Sequence, residues 1–421
     1  MFDRPKNGER AILVHMALFR ENNDLSELKE LVLSAGAQPL AVVTGRRNRP
    51  EPKYFMGTGK LEEVRVALQE HNADVVIFNH ALSPRQERNL EEALETRVVD
   101  RQGLILDIFA QRAKTHEGKL QVELAQLQHL STRLIRGWTH LERQKGGLGQ
   151  RGPGETQLET DRRLIRVRTK LIKGRLAKVA KQRHQGRIKR KRAEVPSVSL
   201  VGYTNAGKST LFNALVGSDV YVADQLFATL DPTLRRCSLP NDAELILADT
   251  VGFIRQLPHE LVAAFRSTLQ EASEADLLLH VVDCNAEDKD ETIREVNDVL
   301  GQIGAGETRQ LQVFNKIDLS ESFKPRIDYD AEGMPVRVWV SAKEKLGIDL
   351  LLKVLESIYA SNRIRKECYL SPLQGRLRAS LYKHSHIISE ETLETGGWQI
   401  TIEIEKKHLG LLKDIKEKEM D

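Results

Sequence analysis

Eight consecutive residues, beginning at Gly202, have the types and spacing that could bind the phosphates of a nucleotide. They fit the pattern G-x-x-x-x-G-K-[ST] and lie between an apolar strand predicted at 198–201 and a helix predicted at 210–215. In that setting backbone N–H groups turn inward around an anion, and the helix dipole adds positive potential. Lys208 is expected to reach the β- and γ-phosphates, and Ser209 to ligate Mg²⁺. The predicted contacts are Gly202, Tyr203, Thr204, Asn205, Ala206, Gly207, Lys208, Ser209 and Thr210.

Two further segments could complete a Mg²⁺ site and sense the terminal phosphate. The run Asp249-Thr250-Val251-Gly252 follows an apolar strand predicted at 245–248. We expect Asp249 to hold Mg²⁺ through water and the Gly252 N–H to sense the γ-phosphate. A loop at 227–233 offers threonines to the metal, and Thr229 is favoured over Thr233. The predicted metal ligands are Ser209, Thr229 and Asp249, and the other predicted nucleotide neighbours are Phe227, Ala228, Leu230, Asp231, Thr250, Val251 and Gly252.

Two more segments could select the base of the nucleotide. Asn315-Lys316-Ile317-Asp318 follows a strand predicted at 311–314, and Asp318 can accept hydrogen bonds from the N1–H and the exocyclic amine of guanine. Adenine lacks that pair of donors, and a site built to pair polar groups rejects ligands that leave them unpaired. Asn315, Lys316, Ser341, Ala342 and Lys343 are expected to surround the base. The ordered motifs therefore predict an enzyme that binds GTP.

One position departs from the pattern of many GTPases. The residue after Gly252 is Phe253, where a glutamine commonly orients the attacking water, and a phenyl ring cannot do so by hydrogen bonding. We therefore expect slow intrinsic hydrolysis, with Lys208, Thr229 and Gly252 as catalytic residues and the water positioned by another residue or by a partner. The side-chain oxygen of Asn205 could hold K⁺ near the phosphates, or this asparagine could cap a turn.

The periodicity of apolar residues predicts the elements that position these motifs. Strand–helix alternation predicts an α/β sheet domain over 1–114, where Gly57-Thr58-Gly59-Lys60 lacks the spacing of a phosphate loop and is interpreted as a helix start. Two apolar stripes of helical period, at 120–141 and 158–179, flank a glycine-rich break at 146–154. They predict an antiparallel helical hairpin over 115–193 with the break at its tip.

Charge is distributed unevenly along the chain. The 421 residues carry a formal charge of +4, while residues 162–192 hold 15 Lys or Arg and no Asp or Glu, so the other 390 residues sum to −11. A dense basic helix on an acidic body predicts a polyanionic partner, and a solvated charged helix is the alternative. The chain has no run of 18 apolar residues and no secretory signal near its start, and its three cysteines are far apart. These features favour a reducing cytoplasm.

The combined motifs resemble the HflX branch of the Obg–HflX GTPases. Besides the four nucleotide motifs, the run that begins Gly152-Pro153-Gly154-Glu155 and the run Asp107-Ile108-Phe109-Ala110-Gln111-Arg112-Ala113 are similar to that family's signatures. The resemblance implies a bacterial GTPase that binds the large ribosomal subunit, with the hairpin reaching 23S rRNA near the peptidyl transferase centre. It also implies splitting of stalled or idle ribosomes, notably under heat stress, and a hydrophobic residue such as Phe253 fits the family pattern.

The sequence as a whole predicts an α/β protein with four domains. A P-loop GTPase domain at 194–362 follows the N-terminal domain and the hairpin, and a small C-terminal α+β domain covers 363–421. Mg²⁺ is the expected cofactor, with GTP as substrate, GDP as product and K⁺ left open. The expected partners of this cytoplasmic, partly ribosome-associated monomer are the large ribosomal subunit and rRNA. Two other functions stay open: a nucleotide-gated RNA-binding or ribosome assembly adaptor, and an ATP-driven RNA remodeller.

Overall fold

The structure, a computed structural model, describes most of the chain. The described residues are 8–18, 24–134, 157–192, 195–217, 226–227, 229–240, 243–255, 266–360, 363–393, 396–405, 410–412 and 416–418. The chain divides into two compact units, one of residues 1–237 and 244–348 and the other of 238–243 and 349–421. The four-domain division stays a prediction, because the first unit contains most of three predicted domains and residues 349–362 belong to the second unit.

The first unit begins with a four-stranded parallel sheet in the order β2-β1-β3-β4. Residues 11–14 of β1 are all buried, alternately against α1 and α4 on one face and against α2 and α3 on the other. Such continuous apolar strands are typical of a parallel sheet covered on both faces. The elements are β1 Arg10–Leu18, α1 Leu25–Ser34, β2 Gln38–Arg47, α2 Thr58–His71, β3 Val75–Phe78, α3 Pro84–Leu94, β4 Arg97–Val99 and α4 Arg101–Arg112.

The predicted alternation of strands and helices in this region is confirmed, with one omission. Gly57 is the N-cap of α2, so the segment that resembles a phosphate loop is a helix start, as predicted. Helix α4 was not predicted. Its residues Leu104, Ile105, Leu106, Ile108 and Phe109 are all buried, and a helix that is apolar nearly all round lacks the one-sided period by which helices are identified.

Two antiparallel helices, α5 (His116–Leu134) and α6 (Gln157–Arg192), follow the sheet and form an arm. Glu123 pairs with Arg168 at 2.6 Å and Glu117 with Arg183 at 2.8 Å, so positions earlier in α5 face positions later in α6. At 1.5 Å per residue α6 is about 54 Å long. The predicted tip at 146–154 and Trp138 lie outside the described residues.

The predicted apolar stripe of α6 is only partly correct. Ile172 is fully buried against Leu120 and Leu124 of α5, but Leu164 and Leu171 are 58% and 45% exposed. Successive residues of a helix are separated by 100° around its axis, so Leu171 lies on the neighbouring face rather than on the face that meets α5. The helix therefore presents some apolar surface among its basic residues.

A seven-stranded sheet in the order β10-β11-β9-β8-β5-β7-β6 completes the first unit. Strands β11, β9, β8, β5 and β7 are parallel, and β10 pairs antiparallel with β11. Because carboxyl ends of parallel strands meet at one edge, the loops that follow β5, β7 and β9 lie close together. The elements are β5 Ser197–Gly202, α7 Lys208–Val216, β6 Thr233–Ser238, β7 Glu244–Asp249, α8 Arg266–Ser273, β8 Leu277–Asp283, α9 Lys289–Gln302, β9 Gln310–Asn315, β10 Arg326–Tyr329 and β11 Pro335–Trp339.

The second unit contains a four-stranded antiparallel sheet in the order β13-β14-β12-β15. The strand predicted at 398–404 is β14, whose Ile400, Ile402 and Ile404 are fully buried. These residues pack with Leu381 of the helix α11, in agreement with the α+β class predicted for this region. The elements are α10 Ile348–Ala360, β12 Arg363–Leu370, α11 Gly375–His384, β13 Ser385–Thr392, β14 Trp398–Glu405 and β15 Lys416–Lys418.

Candidate functional site

The loop between β5 and α7 has backbone geometry that only glycine satisfies at its two ends. Gly202 has φ +144°, and a Cβ there would lie 2.2 Å from the carbonyl oxygen of Val281. Gly207 has φ +89°, and a Cβ there would lie 2.2 Å from Nδ2 of Asn315. Both glycines therefore let the loop pack against neighbouring strands, while α7 begins at Lys208 and directs its N-terminal N–H groups toward the loop.

Lys208 is buried at the start of α7. Its Nζ donates a hydrogen bond to the carbonyl oxygen of Tyr203 at 2.7 Å. Burial lowers the pKa of Lys208 to about 8, and the nearby charge of Asp249 partly opposes that shift. A buried ammonium group gains stability from anionic partners. Phosphate oxygens placed in this loop would supply such partners.

Three oxygen-bearing side chains from three different segments meet beside this loop. The hydroxyl oxygens of Ser209 and Thr229 lie 2.8 Å apart, and each lies 2.8 Å from Oδ2 of Asp249. Within the described part of the chain, the buried Oδ1 of Asp249 has no hydrogen-bond partner. Burial raises the pKa of Asp249, although the two hydroxyl groups and Lys208 oppose this. Oxygen donors with an unsatisfied buried carboxylate suit Mg²⁺, so these residues fit the metal.

Gly252 lies against both the loop and Lys208. A Cβ at Gly252 would be 2.7 Å from Cγ2 of Thr204 and 2.9 Å from Nζ of Lys208. The next residue fixes this approach, because the Phe253 N–H donates to Gly202 and its carbonyl accepts from the Thr204 N–H at 2.7 Å. The ring of Phe253 is enclosed in the core with Leu269 and Leu278. It makes no polar contact that could direct a water molecule.

The segments predicted to hold the base are braced by hydrogen bonds. Nδ2 of Asn315 donates to the carbonyl of Ala206 at 2.9 Å, and its Oδ1 accepts from the Ala342 N–H at 2.9 Å. Oδ1 of Asp318 accepts from the Ser341 hydroxyl at 2.6 Å, which orients the carboxylate. Lys316 forms an ion pair with Asp283 at 2.8 Å, and Lys343 is exposed. The structure thus brings the phosphate loop and both base segments together.

The described residues of the segment 226–231 contact the N-terminal sheet and arm as well as the oxygen cluster. Phe227 and Leu230 are buried in the core of the N-terminal domain, and the ring of Phe227 meets that of Phe109 edge to face at 4.6 Å. Oδ2 of Asp231 accepts from the N–H groups of Lys114 and Thr115 at 2.9 and 2.8 Å. These three residues, which the sequence predicts to border the nucleotide, contact the N-terminal domain, and their place beside the nucleotide stays a prediction. Ala228 lies outside the described residues.

A buried polar network joins the phosphate loop to the N-terminal domain, and sequence reasoning missed it. The Tyr203 hydroxyl donates to Glu27 and accepts from the Arg255 N–H at 2.9 Å. Arg101 pairs with Glu27 and donates to the carbonyl of Arg255 at 3.2 Å. Burial and the charge of Glu27 raise the pKa of Tyr203, which keeps the phenol protonated. No local motif marks Glu27, Arg101 or Arg255, so their meeting had no signal in the sequence.

This arrangement of a phosphate loop at the end of β5, an oxygen cluster at the end of β7 and a carboxylate beyond β9 that is predicted to bind the base is that of the P-loop GTPases. Comparisons with known proteins agree. Residues 22–110 match the family model "GTP-binding GTPase N-terminal", residues 112–190 match "GTP-binding GTPase Middle Region", and residues 197–316 match "50S ribosome-binding GTPase".

Full-length relatives narrow the class to one family. The chain is 57% identical over 404 residues to GTPase HflX of Escherichia coli K12, covering 96% of this chain and 95% of the relative. It is 45% identical over 406 residues to GTPase HflX of Caldanaerobacter subterraneus subsp. tengcongensis, covering 96% and 93%. A crystal structure of SsGBP with GDP aligns with TM-score 0.49 and 24% identity over 84% of this chain and 99% of that one. The chain belongs to the HflX family of GTPases, and it binds GTP and hydrolyses it to GDP and phosphate.

The membrane prediction can be checked on the described residues. Among them, no helix has both the length and the hydropathy that crossing a bilayer requires. The long helix of the arm is highly charged rather than apolar.

Proposed function

We propose that GTP binding controls how the arm of this chain attaches to the large ribosomal subunit, and that the GTP-bound form splits stalled or idle ribosomes. The arm would contact 23S rRNA near the peptidyl transferase centre, with heat stress as the main setting. The protein would act as a cytoplasmic monomer. Ser209, Thr229 and Asp249 would hold Mg²⁺, and Asp318 would select guanine. The side-chain oxygen of Asn205 would hold K⁺ near the phosphates. The family-model description "50S ribosome-binding GTPase" supports this choice of partner.

The observation that carries the proposal is the short distance along the chain between the oxygen cluster and the base of the arm. Thr229 hydrogen-bonds with Asp249 in that cluster, and Asp231, two residues later, hydrogen-bonds with the two residues that immediately precede α5. Leu230 between them is buried in the N-terminal core. A change in the position of Thr229 on loss of the γ-phosphate would therefore reach the arm directly.

The surface charge of the arm supports an RNA partner. The exposed basic residues of the described part of α6 extend along most of its length: Arg163, Arg166, Arg168, Lys170, Lys173, Arg175, Lys178 and Lys181. Two acidic residues of α5 pair with α6, at Arg168 and Arg183. Neutralisation of RNA phosphates releases counterions, so binding by such a helix should weaken steeply with salt.

Co-sedimentation with purified large subunits tests the proposal. The full-length protein is loaded with GDP or with a non-hydrolysable GTP analogue, and binding is measured over a salt series. We expect binding with the analogue and a steep loss with salt. A triple variant of exposed arm residues, Lys170→Glu, Lys173→Glu and Lys178→Glu, should lose binding.

A control variant with the same change of net charge distinguishes binding through the arm from binding through the overall charge of the protein. The variant Lys29→Glu, Lys53→Glu and Lys324→Glu alters exposed lysines away from the arm and should bind nearly as the unmodified protein does. Light scattering of intact ribosomes then tests splitting, which should require both protein and GTP. Equal loss of binding in the two triple variants, or binding that ignores the nucleotide, would contradict the proposal.

A further inference from the structure

We propose that the hydroxyl group of Thr204 aligns the attacking water in GTP hydrolysis, the role that Phe253 cannot fill. The inference rests on the proposed position of the γ-phosphate between Lys208 and Gly252. It concerns the chemical step and is independent of whether the partner is a ribosome.

Thr204 lies where the reacting phosphate would be bound. Its side chain is 6% exposed, and its Cγ2 lies 2.7 Å from the position of a Cβ on Gly252. The same Cβ position is 2.9 Å from Nζ of Lys208. The Thr204 backbone is held there because its N–H donates to the carbonyl of Phe253 at 2.7 Å. Three groups therefore surround one point: the Thr204 methyl group, the Lys208 ammonium and the Gly252 backbone.

The hydroxyl oxygen of Thr204 is buried without a protein partner. Within the part of the chain that the structure describes, Oγ1 makes no hydrogen bond, although it is shielded from solvent. Buried hydroxyl groups are nearly always paired, because an unpaired one loses the hydrogen bonds that water would give it. In this structure the methyl group of Thr204, rather than Oγ1, faces the Cβ position of Gly252. Because Oγ1 and that methyl group are bonded to the same Cβ atom, rotation about the Cα–Cβ bond brings the hydroxyl to this position.

Neighbouring hydroxyl groups are already engaged. Thr250 donates to the carbonyl of Leu200 at 2.5 Å, and the Tyr203 hydroxyl donates to Glu27. The hydroxyls of Ser209 and Thr229 hydrogen-bond with Asp249 in the oxygen cluster. The hydroxyl of Thr204, in contrast, has no partner among the described residues.

The chemical role follows from the hydrogen-bonding capacity of a hydroxyl group. Oγ1 accepts a hydrogen bond from the water, so that a lone pair of the water oxygen is directed at the γ-phosphorus. The new oxygen–phosphorus bond forms as the bond to the β–γ bridging oxygen breaks, and that electron pair leaves on GDP. One proton of the water remains on the phosphate and the other passes to solvent. Thr204 keeps its own proton throughout, as a group that orients water rather than a base.

Two substitutions separate the hydroxyl group from the shape of the side chain. Thr204→Val keeps both branches at Cβ and removes only the hydroxyl, whereas Thr204→Ser keeps the hydroxyl and removes the methyl. In single-turnover hydrolysis of GTP, with full-length protein in excess and no ribosomes, the valine variant should be slower by about 10²-fold, as expected for a misplaced nucleophile. The serine variant should stay within about threefold of the unmodified protein, because the hydroxyl group is retained. The dissociation constant for GTP should change little in either variant.

Several results would overturn this assignment. It is wrong if the valine variant hydrolyses GTP at the unmodified rate, or if serine and valine variants are equally slow, since shape would then be decisive. Loss of GTP binding in the valine variant would also overturn it, because the hydroxyl would then serve binding. If valine does not fold, as checked by thermal unfolding with GDP, Thr204→Ala replaces it in the same comparison with serine. None of these assays contains ribosomes, so a result against the role of Thr204 is distinguishable from a result against the proposed ribosomal function.

Discussion

Replacement of Gly118 by alanine should disconnect the nucleotide site from the arm while leaving both folded. Gly118 lies in the first turn of α5, where a Cβ would come within 2.2 Å of Oδ1 of Asp231 and 3.1 Å of its Cγ. The short Asp231 side chain must then move, and it loses its hydrogen bonds to the N–H groups of Lys114 and Thr115. The Thr115 hydroxyl accepts from the Gly118 N–H at 2.9 Å and would lie 3.1 Å from the new Cβ, so a small shift of its side chain lets it still cap the helix.

The magnitude follows from the contacts that are lost. Hydrogen bonds that a side chain accepts from N–H groups at a helix N-terminus contribute about 1–2 kcal/mol. The negative charge of Asp231 near the positive end of the helix dipole adds roughly 0.3–1 kcal/mol. Alanine in place of glycine within α5 returns about 1 kcal/mol of helix stability. Gly118→Ala should therefore lower the stability of α5 by about 0.3–2 kcal/mol, whereas Asp231→Ala loses the same contacts without compensation, at a cost of about 1.3–3 kcal/mol. Both variants should weaken the link between nucleotide and arm.

Large-subunit binding measures this link as the ratio of affinities with a GTP analogue and with GDP. Loss of about 1–2 kcal/mol of coupling should reduce that ratio by roughly 5- to 30-fold in both variants. Gly174→Ala is the matched control, because Gly174 is a helical glycine of α6 with open space around its Cβ position. The reasoning would be refuted if Gly118→Ala kept the full ratio, or if Gly174→Ala reduced it equally.

Three further outcomes are expected. Asp318→Asn should weaken GTP binding by at least about 10²-fold, because the amide cannot accept both guanine donors, and equilibrium titration with GTP and xanthosine triphosphate would reveal the change of base. Tyr203→Phe leaves the buried Glu27 without one donor and should lower the free energy of unfolding by about 1–3 kcal/mol in urea, whereas the exposed Tyr329→Phe should have little effect. Burial raises the pKa of Glu87 to about 7 from 4.5, so its contribution to stability falls as the pH rises through that window. The free energy of unfolding of Glu87→Gln minus that of the unmodified protein should therefore increase by up to about 3 kcal/mol between pH 4.5 and 8. A difference that does not change with pH would contradict this.

The sequence predicted those parts of the site that depend on local chain geometry. A glycine-rich loop after β5 and polar residues after β7 and β9 must lie at one edge of the sheet, because carboxyl ends of parallel strands share that edge. The meeting of Ala206, Asn315 and Ala342 is therefore a consequence of strand order. Strand order also explains why position 207 requires glycine, because it places Asn315 where a Cβ of residue 207 would lie.

Contacts between distant segments could not be predicted in this way. Tyr203 and Glu27 are 176 residues apart, and Arg255 and Glu27 are 228 residues apart. The periods of helices and strands relate only nearby residues, so they carry no information on such pairs. The residue types do not help either, because a buried ion pair contains the same types as an exposed one. The position of Asp231 at the start of α5 was missed for the same reason, since its neighbours in sequence suggested only the nucleotide. Leu171 was predicted to be buried and is exposed, because the apolar type of a residue does not determine whether its face of a helix packs against another element.

Both segments that would respond to the γ-phosphate are part of the N-terminal core. Phe227 and Leu230 lie on either side of Thr229, and Val251 and Ile254 follow Asp249. All four are buried in a single cluster with residues of the N-terminal sheet and helices. Neither segment can change position without disturbing that packing, so under the proposed function the nucleotide and the arm share one equilibrium. Thermodynamic linkage then requires reciprocity: if GTP in place of GDP tightens arm binding by a given factor, the bound partner must favour GTP over GDP by that factor. Gly118→Ala and Asp231→Ala should therefore reduce the effect of the nucleotide on subunit binding and the effect of the subunit on nucleotide affinity equally.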